Sequence, residues 1–465
     1  MGEQKTGSIL LLVLVSLLAV IPAAGASDDD YWVELKSMPT ARWELGVAVV
    51  DGKIYAIGGY NGSYVGTNEV YDTETDTWTT KTPMPTPRSA FAIAVYQNKI
   101  YVIGGYAGNP MSCLRTTEVY DILTDTWETK SEIAYDGIGR CCANVVNGKI
   151  YLMGGMLAPF PTAPFPDKTF VYDPGEDSWT TKAKIPTTVY DYFSAVVDNK
   201  IYIIGGRSTS NLYGLTQIYD PETNTWSQGK TIPLAVCYGG AGLTTGVLAP
   251  KRIYVFGGKS SLEPNLAYTD ATQIYDPETD TWTTGASMLI PHAGLCVAVV
   301  DDILYAIGGY NESTRFAVNE AYVPVGYTGD FAPPDYVSPI VTVDSPQNTT
   351  YTTSDVNLSF TVDEETSWTG YSLNKEDNVT TTDNTVTLIG LPNGAHNITV
   401  YANDTSGNTG ASETVVFTVA KEPDPEPTQL EWIAIVLVAA IGAVVVTSII
   451  VYFRKTRRKT GILGA

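Results

Sequence analysis

The sequence predicts an all-β chain, and three observations carry that reading. A Gly-Gly pair closes an apolar run six times, at Gly58-Gly59, Gly104-Gly105, Gly154-Gly155, Gly205-Gly206, Gly257-Gly258 and Gly308-Gly309, with 46 to 52 residues between successive pairs. Fixed spacing on this scale is the mark of a repeat architecture. A tyrosine follows each pair, at Tyr71, Tyr120, Tyr172, Tyr219, Tyr275 and Tyr322, and the first five are trailed seven positions later by Trp78, Trp127, Trp179, Trp226 and Trp282. Composition agrees: 42 Gly, 27 Pro and 30 Tyr in 465 residues favour short strands and tight turns over long helices.

The sixth tryptophan is missing, because position 329 is glycine. Its counterpart stands at the other end. Trp32 lies six residues before Met38-Pro39, as Trp78 lies six before Met84-Pro85. The N-terminal strand is therefore expected to complete the last repeat, joining the two ends by hydrogen bonds and leaving no open edge. Paired glycines allow a positive φ and close backbone approach, and Tyr and Trp supply large apolar surfaces with polar tips. Segments such as Asp72–Asp76 and Asp276–Asp280 read as hairpin turns. They lack the glycine and distal glutamate of a calcium loop, so no metal is expected.

These motifs resemble the kelch repeat over residues 31–325. The resemblance implies a six-bladed β-propeller, each repeat a four-stranded blade, closed by the N-terminal strand.

The flanks differ in character. Lys5 precedes an apolar run from Ser8 to Val20, and Ala24-Gly25-Ala26 supplies small residues, so residues 1–26 read as a signal peptide. Residues 326–335, with Phe331-Ala-Pro-Pro-Asp335, read as a linker. Residues 336–420 alternate in the manner of half-buried strands, as in Val356–Phe360 and Ile398–Tyr401, and fit an Ig-like β-sandwich. The run 393–408 resembles the last hairpin of Ig-like stalk modules of prokaryotic surface proteins. Residues 421–431 form a Pro-rich linker. Trp432 to Phe453 is an apolar run of 22 residues, about 33 Å as a helix, and reads as one transmembrane helix. The basic tail 454–465 would lie inside, giving a single-pass type I protein of the plasma membrane with an extracellular N-terminal region.

A net charge of −22 argues against nucleic acid as a partner. Five cysteines, at 113, 141, 142, 237 and 296, make no regular disulfide framework and read as small buried residues. Asn61, Asn311, Asn348, Asn357, Asn378, Asn397 and Asn403 begin glycosylation sequons, five of them in the Ig-like module.

In a propeller of this kind the loops between the second and third strands are long and irregular, and they share a face with the entry to the inner strands. Function is expected there. The entry supplies Arg42, Trp43, Arg88, Tyr135, Tyr190, Tyr192, Tyr238 and His292, with Arg42, Arg88 and His292 in one register, 16 residues before the first glycine. The loops add Tyr60, Tyr106, Arg207, Lys259, Tyr310 and Arg315. Aromatic platforms with a few cations suit an extracellular glycan or protein. The expected function is cell-surface recognition or adhesion, with no cofactor. The alternative is a carbohydrate-active enzyme. Sialic acid mutarotases resemble this repeat pattern, and Asp136 and Asp191 with Arg42, Arg88 or Arg207 would provide acid, base and cation. A galactose-oxidase-like copper site is excluded by ligand count, since His292 is the single propeller histidine and His396 lies elsewhere.

Overall fold

The computed structural model describes residues 29–108, 111–133, 135–157, 166–332, 334–422 and 429–459. The expected signal peptide, most of the 421–431 linker and the last residues of the tail lie outside them. The chain divides into two units, Met1–Pro334 and Asp335–Ala465.

Among the described residues the first unit holds six four-stranded antiparallel sheets. The first sheet runs Gly46–Val50, Lys53–Ile57, Asn68–Asp72, Thr77–Lys81, and four more repeat that order. The sixth takes three strands from Cys296–Val300, Ile303–Ile307 and Asn319–Val323 and its outermost from the other end of the chain, Tyr31–Glu34. In that pairing Trp32 stands opposite Tyr322, as Trp78 stands opposite Tyr71 in the first sheet. The inner strands touch in sequence, Gly46–Val50 against Ala92–Tyr96, then Ala143–Val146, Phe193–Val197, Gly240–Leu243, Cys296–Val300 and back to Gly46–Val50. The result is a closed, propeller-like ring around an axial channel.

The repeated residues do what their chemistry suggests. Tyr71, Tyr120, Tyr172, Tyr219 and Tyr275 each lie about 5 Å from the tryptophan opposite and are fully buried between sheets. Their hydroxyls donate to the last turn residue, Asp76, Asp125, Asp177, Asn224 or Asp280, at 2.6–2.7 Å, so this position works as turn chemistry. In the sixth sheet Asp30 takes that part, accepting from Tyr322. The second glycine of each pair donates to a carbonyl of the next sheet, as Gly59 to Arg88 at 2.9 Å and Gly309 to Arg42 at 3.0 Å. A Cβ on Gly104 would meet the Ile138 carbonyl at 2.2 Å, which explains why that position is glycine.

One position varies instructively. The residue two before each tyrosine is Glu69, Glu118, Phe170, Gln217, Gln273 or Glu320. Glu69 and Glu118 are buried against Arg42 and Arg88 at 2.5 and 2.7 Å. Gln217 and Gln273 use both amide groups on the backbone of Thr187 and Leu234. Glu320 is 1% exposed, and its Oε2 has no hydrogen-bond partner. Burial, reinforced by Glu34 opposite it in the strand pair, pushes the Glu320 carboxyl up to about 7.

The second unit has a three-stranded sheet, Val341–Ser345, Val356–Val362 and Thr385–Leu388, and a six-stranded sheet centred on Gly394–Asp404 and Thr366–Leu373. Both contribute to one core, including Leu358 and Phe360 from the first and Ile398, Val400 and Phe417 from the second. Strict alternation along Gly394–Asp404 buries every second residue, as period-two patterning requires.

A helix follows at Gln429–Lys459. Its side chains are described without a break from Leu437 to Tyr452, sixteen residues or about 24 Å. Among the described residues no helix is long and apolar enough to cross a membrane. The expected single-pass plasma-membrane placement is corrected on that finding.

Two measurements check these assignments. Replacing Trp32 with Ala removes the ring that packs on Phe256 and Tyr322 at 4.9 and 5.1 Å and donates to the Ala286 carbonyl at 2.9 Å. Chemical denaturation is expected to show a loss of about 2–4 kcal/mol, and an unchanged midpoint would contradict closure through this strand. Glu320→Gln gives the sixth sheet the amide that the fourth and fifth sheets use. A carboxyl raised from 4.5 in the unfolded chain to about 7 makes no demand below pH 4.5 and costs stability progressively as pH rises through 7. The variant is therefore expected to be more stable than the parent by about 1–3 kcal/mol at pH 8 and indistinguishable at pH 4, read from denaturation midpoints across that range.

Candidate binding site at the mouth of the axial channel

Each inner strand is entered through one residue at positive φ. These are Glu44, Ala90, Arg140, Asp191, Tyr238 and Gly294, with φ from 52° to 67°. Each donates its N–H to the carbonyl of the preceding one: Ala90 to Glu44, Arg140 to Ala90, Asp191 to Arg140, Tyr238 to Asp191, Gly294 to Tyr238 and Glu44 to Gly294, at 2.6–3.1 Å. Six hydrogen bonds thus form a closed loop around the axis, one link per sheet.

Four of the six side chains form a polar cluster at this mouth. Arg140 reaches Glu44 at 2.7 Å and Asp191 at 3.1 Å, and Arg207 reaches Asp191 at 2.9 Å. Tyr238 donates to Glu44, and Ser89 does so at 2.7 Å. Burial works against the Arg140 charge, but Asp191 and Glu44 outweigh it and hold the guanidinium above its usual range. Burial also drives the Tyr238 hydroxyl well above its ordinary value. The two carboxylates are thus occupied in positioning two arginines.

Outside this cluster lies an aromatic surface. Trp43 packs on Tyr310 at 4.4 Å and on Tyr60 at 5.6 Å, Tyr60 on Tyr64 at 5.3 Å, and Tyr310 on Tyr268 at 5.9 Å. Gly294 makes room, since a Cβ there would meet the Tyr310 ring at 3.2 Å. The Lys259 ammonium sits over three rings, Tyr238 at 5.3 Å, Tyr268 at 5.6 Å and Tyr310 at 5.1 Å. Burial, with Arg207 nearby, lowers its pKa. Among the described residues it has no carboxylate partner.

The expected site residues separate into two groups. Trp43, Tyr60, Arg207, Tyr238, Lys259 and Tyr310 are brought together here, with the exposed Arg315 beside Gly62. Arg42, Arg88 and His292 are not part of the face: all three are fully buried. Arg42 donates to the carbonyls of Thr40, Ala56 and Gly58 at 2.8–2.9 Å, Arg88 to those of Thr86, Gly104 and Thr116 at 3.0–3.2 Å, and the His292 ring pairs with the Ile290 carbonyl at 2.7 Å. Arg42 and Arg88 tie strands within their own sheets, and burial lowers the His292 pKa. Tyr106, Tyr190 and Tyr192 are also buried, as supports: Tyr106 lies 5.9 Å from the Arg140 guanidinium and Tyr190 4.8 Å from that of Arg207. Tyr192 donates to the Met153 carbonyl at 2.5 Å. Tyr135 is set apart, on Phe170 and beneath Lys168. Asp136 is exposed, whereas Asp191 lies in the cluster.

Glu44, Arg140, Tyr64 and Tyr268 were not singled out from sequence as site residues. The signal for the first two was present: Glu44, Ala90, Arg140, Asp191 and Gly294 all stand 14 residues before the first glycine of a pair, and their types vary as a recognition position would. Asn61 and Asn311 are half-buried in mouth loops, their carbonyl oxygens accepting from Ser63 and from Ser313 and Thr314. Asn348, Asn357 and Asn378 are exposed, and Asn397 and Asn403 half-buried, in the second unit.

At the ring lies a cavity of about 250 Å³ lined by Glu44, Arg140, Asp191 and Tyr238 and by Leu45, Ile93, Leu295, Cys141, Cys142 and Cys296. Cys141, Cys142, Cys237 and Cys296 are in no disulfide. Burial pushes the Cys142 and Cys296 thiols up to about 11 and about 12.

Comparison with known proteins agrees with the repeat geometry. The KLHDC2/KLHL20/DRC7 Kelch-repeats domain matches residues 30–155 and 139–309, and a Kelch motif matches 291–328. Kelch-like protein 15 of Danio rerio is 31% identical over 167 residues, which is 31% of this chain and 26% of that protein. Spermatocyte protein spe-26 of Caenorhabditis elegans is 29% identical over 163 residues, 34% of this chain and 28% of the other. The chain thus spans under a third of the length of these relatives. The solved structure of YjhT superposes with a TM-score of 0.54 at 17% identity, covering 62% of this chain and 95% of that one, a likeness of fold. With more than half of its length matched by the family model, the chain belongs to the kelch-repeat family.

Proposed function

We propose that the six sheets are the blades of a kelch propeller and that the chain is a recognition module, holding a partner protein across the aromatic mouth. The observation that carries this reading is Lys259, a half-buried ammonium over three tyrosine rings with Arg207 close by and no carboxylate of its own among the described residues. Holding a desolvated cation this way costs free energy that an incoming carboxylate would recover. Trp43, Tyr60 and Tyr310 around it are the rigid, amphipathic residue types that anchor interfaces. A partner segment with acidic and aromatic residues meets both demands. The long-range field supports selectivity: on a chain of net charge −22, a local cationic mouth favours an acidic segment at the site while the rest of the surface repels it. Residues 336–420 are read with it as an Ig-like spacer carrying five of the seven sequons.

The test is selection from a displayed random-peptide library followed by titration of the best binders. Acidic sequences with at least one aromatic residue are expected, weakened about tenfold or more by Lys259→Ala or Trp43→Ala, and weakened further as salt is raised. Selected peptides that bind both variants at parental strength would place recognition elsewhere.

A further inference from the structure

We propose that His292 and Glu320 form a buried proton switch in the sixth sheet, which grips the closing strand Tyr31–Glu34 while a proton is held between them and loosens it when that proton is lost. The switch concerns closure of the ring and does not depend on what the mouth binds.

The six sheets supply the comparison. Two residues before each link of the ring stand Arg42, Arg88, Ile138, Val189, Val236 and His292, and the carbonyl of each accepts from the second glycine of the preceding sheet's pair. Two before each tyrosine stand Glu69, Glu118, Phe170, Gln217, Gln273 and Glu320. The two sets vary together. Arginine is paired with glutamate in the first two sheets, isoleucine stands with phenylalanine in the third, and valine stands with a backbone-bound glutamine in the fourth and fifth. The sixth sheet keeps the glutamate and puts histidine in the place of arginine.

That exchange leaves the pair one proton short. Arg42 donates to the carbonyls of Thr40, Ala56 and Gly58 and still reaches Glu69 at 2.5 Å. The shorter imidazole donates from Nδ1 to the carbonyl of Ile290, the counterpart of Thr40, at 2.7 Å. Among the described residues its Nε2 and Glu320 Oε2 have no hydrogen-bond partner, although the two side chains belong to residues only 0% and 1% exposed. Buried acceptors without a donor are costly, and a proton on either atom turns it into a donor.

The surroundings supply no counter-charge. Opposite Glu320 stand Ala306 on the inner side and Glu34, of like charge, on the outer. On the same face of the strand Tyr322 donates to Asp30, and the junction with the fifth sheet holds Tyr254, Phe256, Met288 and Leu304, with the Tyr254 hydroxyl kept protonated by burial. Arg42, in the next sheet, is engaged by Glu69. Burial and then Glu34 raise the Glu320 carboxyl to about 7, while burial lowers the imidazole against the pull of the Ile290 and Gly308 carbonyls. The pair therefore holds its proton just below neutrality and gives it to solvent just above, leaving a buried carboxylate beside Glu34. Both residues sit at joints. Glu320 lies in the strand that receives Tyr31–Glu34, and the His292 carbonyl holds Gly258 at 2.9 Å one step before Ala293 and Gly294 enter the ring.

Hydrogen exchange read by mass spectrometry on the 465-residue chain tests the proposal, with exchange times scaled for the intrinsic effect of pH. Between pH 6 and pH 8, peptides covering Tyr31–Glu34 and Asn319–Val323 are expected to open about tenfold more often, as a carboxyl moving from about 7 to 4.5 on opening requires. Peptides covering Asn68–Asp72 and Thr117–Asp121, where arginine holds the glutamate, should change less than about twofold. Glu320→Gln supplies an amide and His292→Arg restores the guanidinium of the first two sheets, so each should remove the pH dependence; where one does not fold, the other gives the same reading. The imidazole gives a second readout. His292 and His396 are the two histidines of the chain, so carbon-13 histidine labelling yields two ring signals. The His292 signal, assigned by its loss in His292→Arg or by the persistence of the other in a His396→Gln control, should show an inflection near pH 7 that is absent in Glu320→Gln, which a merely structural histidine would not show. Equal protection of the closing strand at pH 6 and pH 8 would overturn the proposal. So would pH dependence that survives either variant, or a His292 signal that titrates identically in the parent and Glu320→Gln.

Discussion

The molecule turns on a closed circuit of six backbone hydrogen bonds around its axis, one from each sheet to the next. Every link requires a residue held near φ 50–70°, and five of the six are not glycine. A non-glycine residue in that region costs about 1 kcal/mol or more, so strain is concentrated at one level of the structure and must be offset by what surrounds it. The offset comes from the sheets. Fully buried tyrosines and half-buried tryptophans wedge between neighbours at every junction, and the terminal strand Tyr31–Glu34 supplies the last wedge. Without Tyr31–Glu34 the sixth sheet would lose its outermost strand, the Trp32 ring and the Asp30 acceptor of Tyr322, and with them part of the packing that offsets this strain. Ring closure by Trp32 and Asp30 and the geometry of the mouth are therefore one problem.

That coupling explains why the strained level is also where the chemistry collects. At positive φ a side chain projects differently from its neighbours in the strand. Six such positions, locked to one another through the backbone, present Glu44, Arg140, Asp191 and Tyr238 toward a common centre. Their mutual ion pairs and hydrogen bonds are made possible by the circuit beneath them. In return, Arg140 ties its ring neighbour Asp191 to Glu44, which lies two positions away on the other side. Ala90 and Gly294 carry little or no side chain, and the space they leave keeps the channel open and admits the Trp43 and Tyr310 rings.

How much of this could be read from the chain follows from which features repeat. The glycine pairs, the tyrosines, the tryptophans and the displaced Trp32 recur at fixed spacing because each meets the same packing demand in every sheet, and repetition makes such demands visible. The closing strand was legible for the same reason. Arg42, Arg88 and His292 also share a register, and that misled: periodicity shows that positions are equivalent, not whether they face solvent or the sheet interior. For Arg42 and Arg88 the partners that settle the matter, carbonyls and a glutamate each, are 14 to 30 residues away in sequence and come together only on folding. Non-repeating features were harder still. Glu44 and Arg140 occupy equivalent positions with opposite charges, and only the ring brings them within 2.7 Å. Trp432 to Phe453 illustrates the reverse error, in which local apolar composition alone stood in for a span.

The same contrast bears on how such a fold acquires specificity. Residues that repeat are committed to holding sheets together, so changing one damages a junction without altering what is recognised. The entry positions and the loops that flank them are free to differ, because the backbone circuit uses only their N–H and C=O groups. Lys259 shows the consequence. Its own N–H and C=O pair with Cys237, which fixes the start of a short irregular hairpin, while its side chain lies over Tyr238, Tyr268 and Tyr310. The backbone fixes where the ammonium sits, and the three rings withdraw it from water without neutralising it. What remains is a positive charge with no carboxylate partner of its own among the described residues, set among aromatic rings, and that combination is what any ligand of this face has to satisfy.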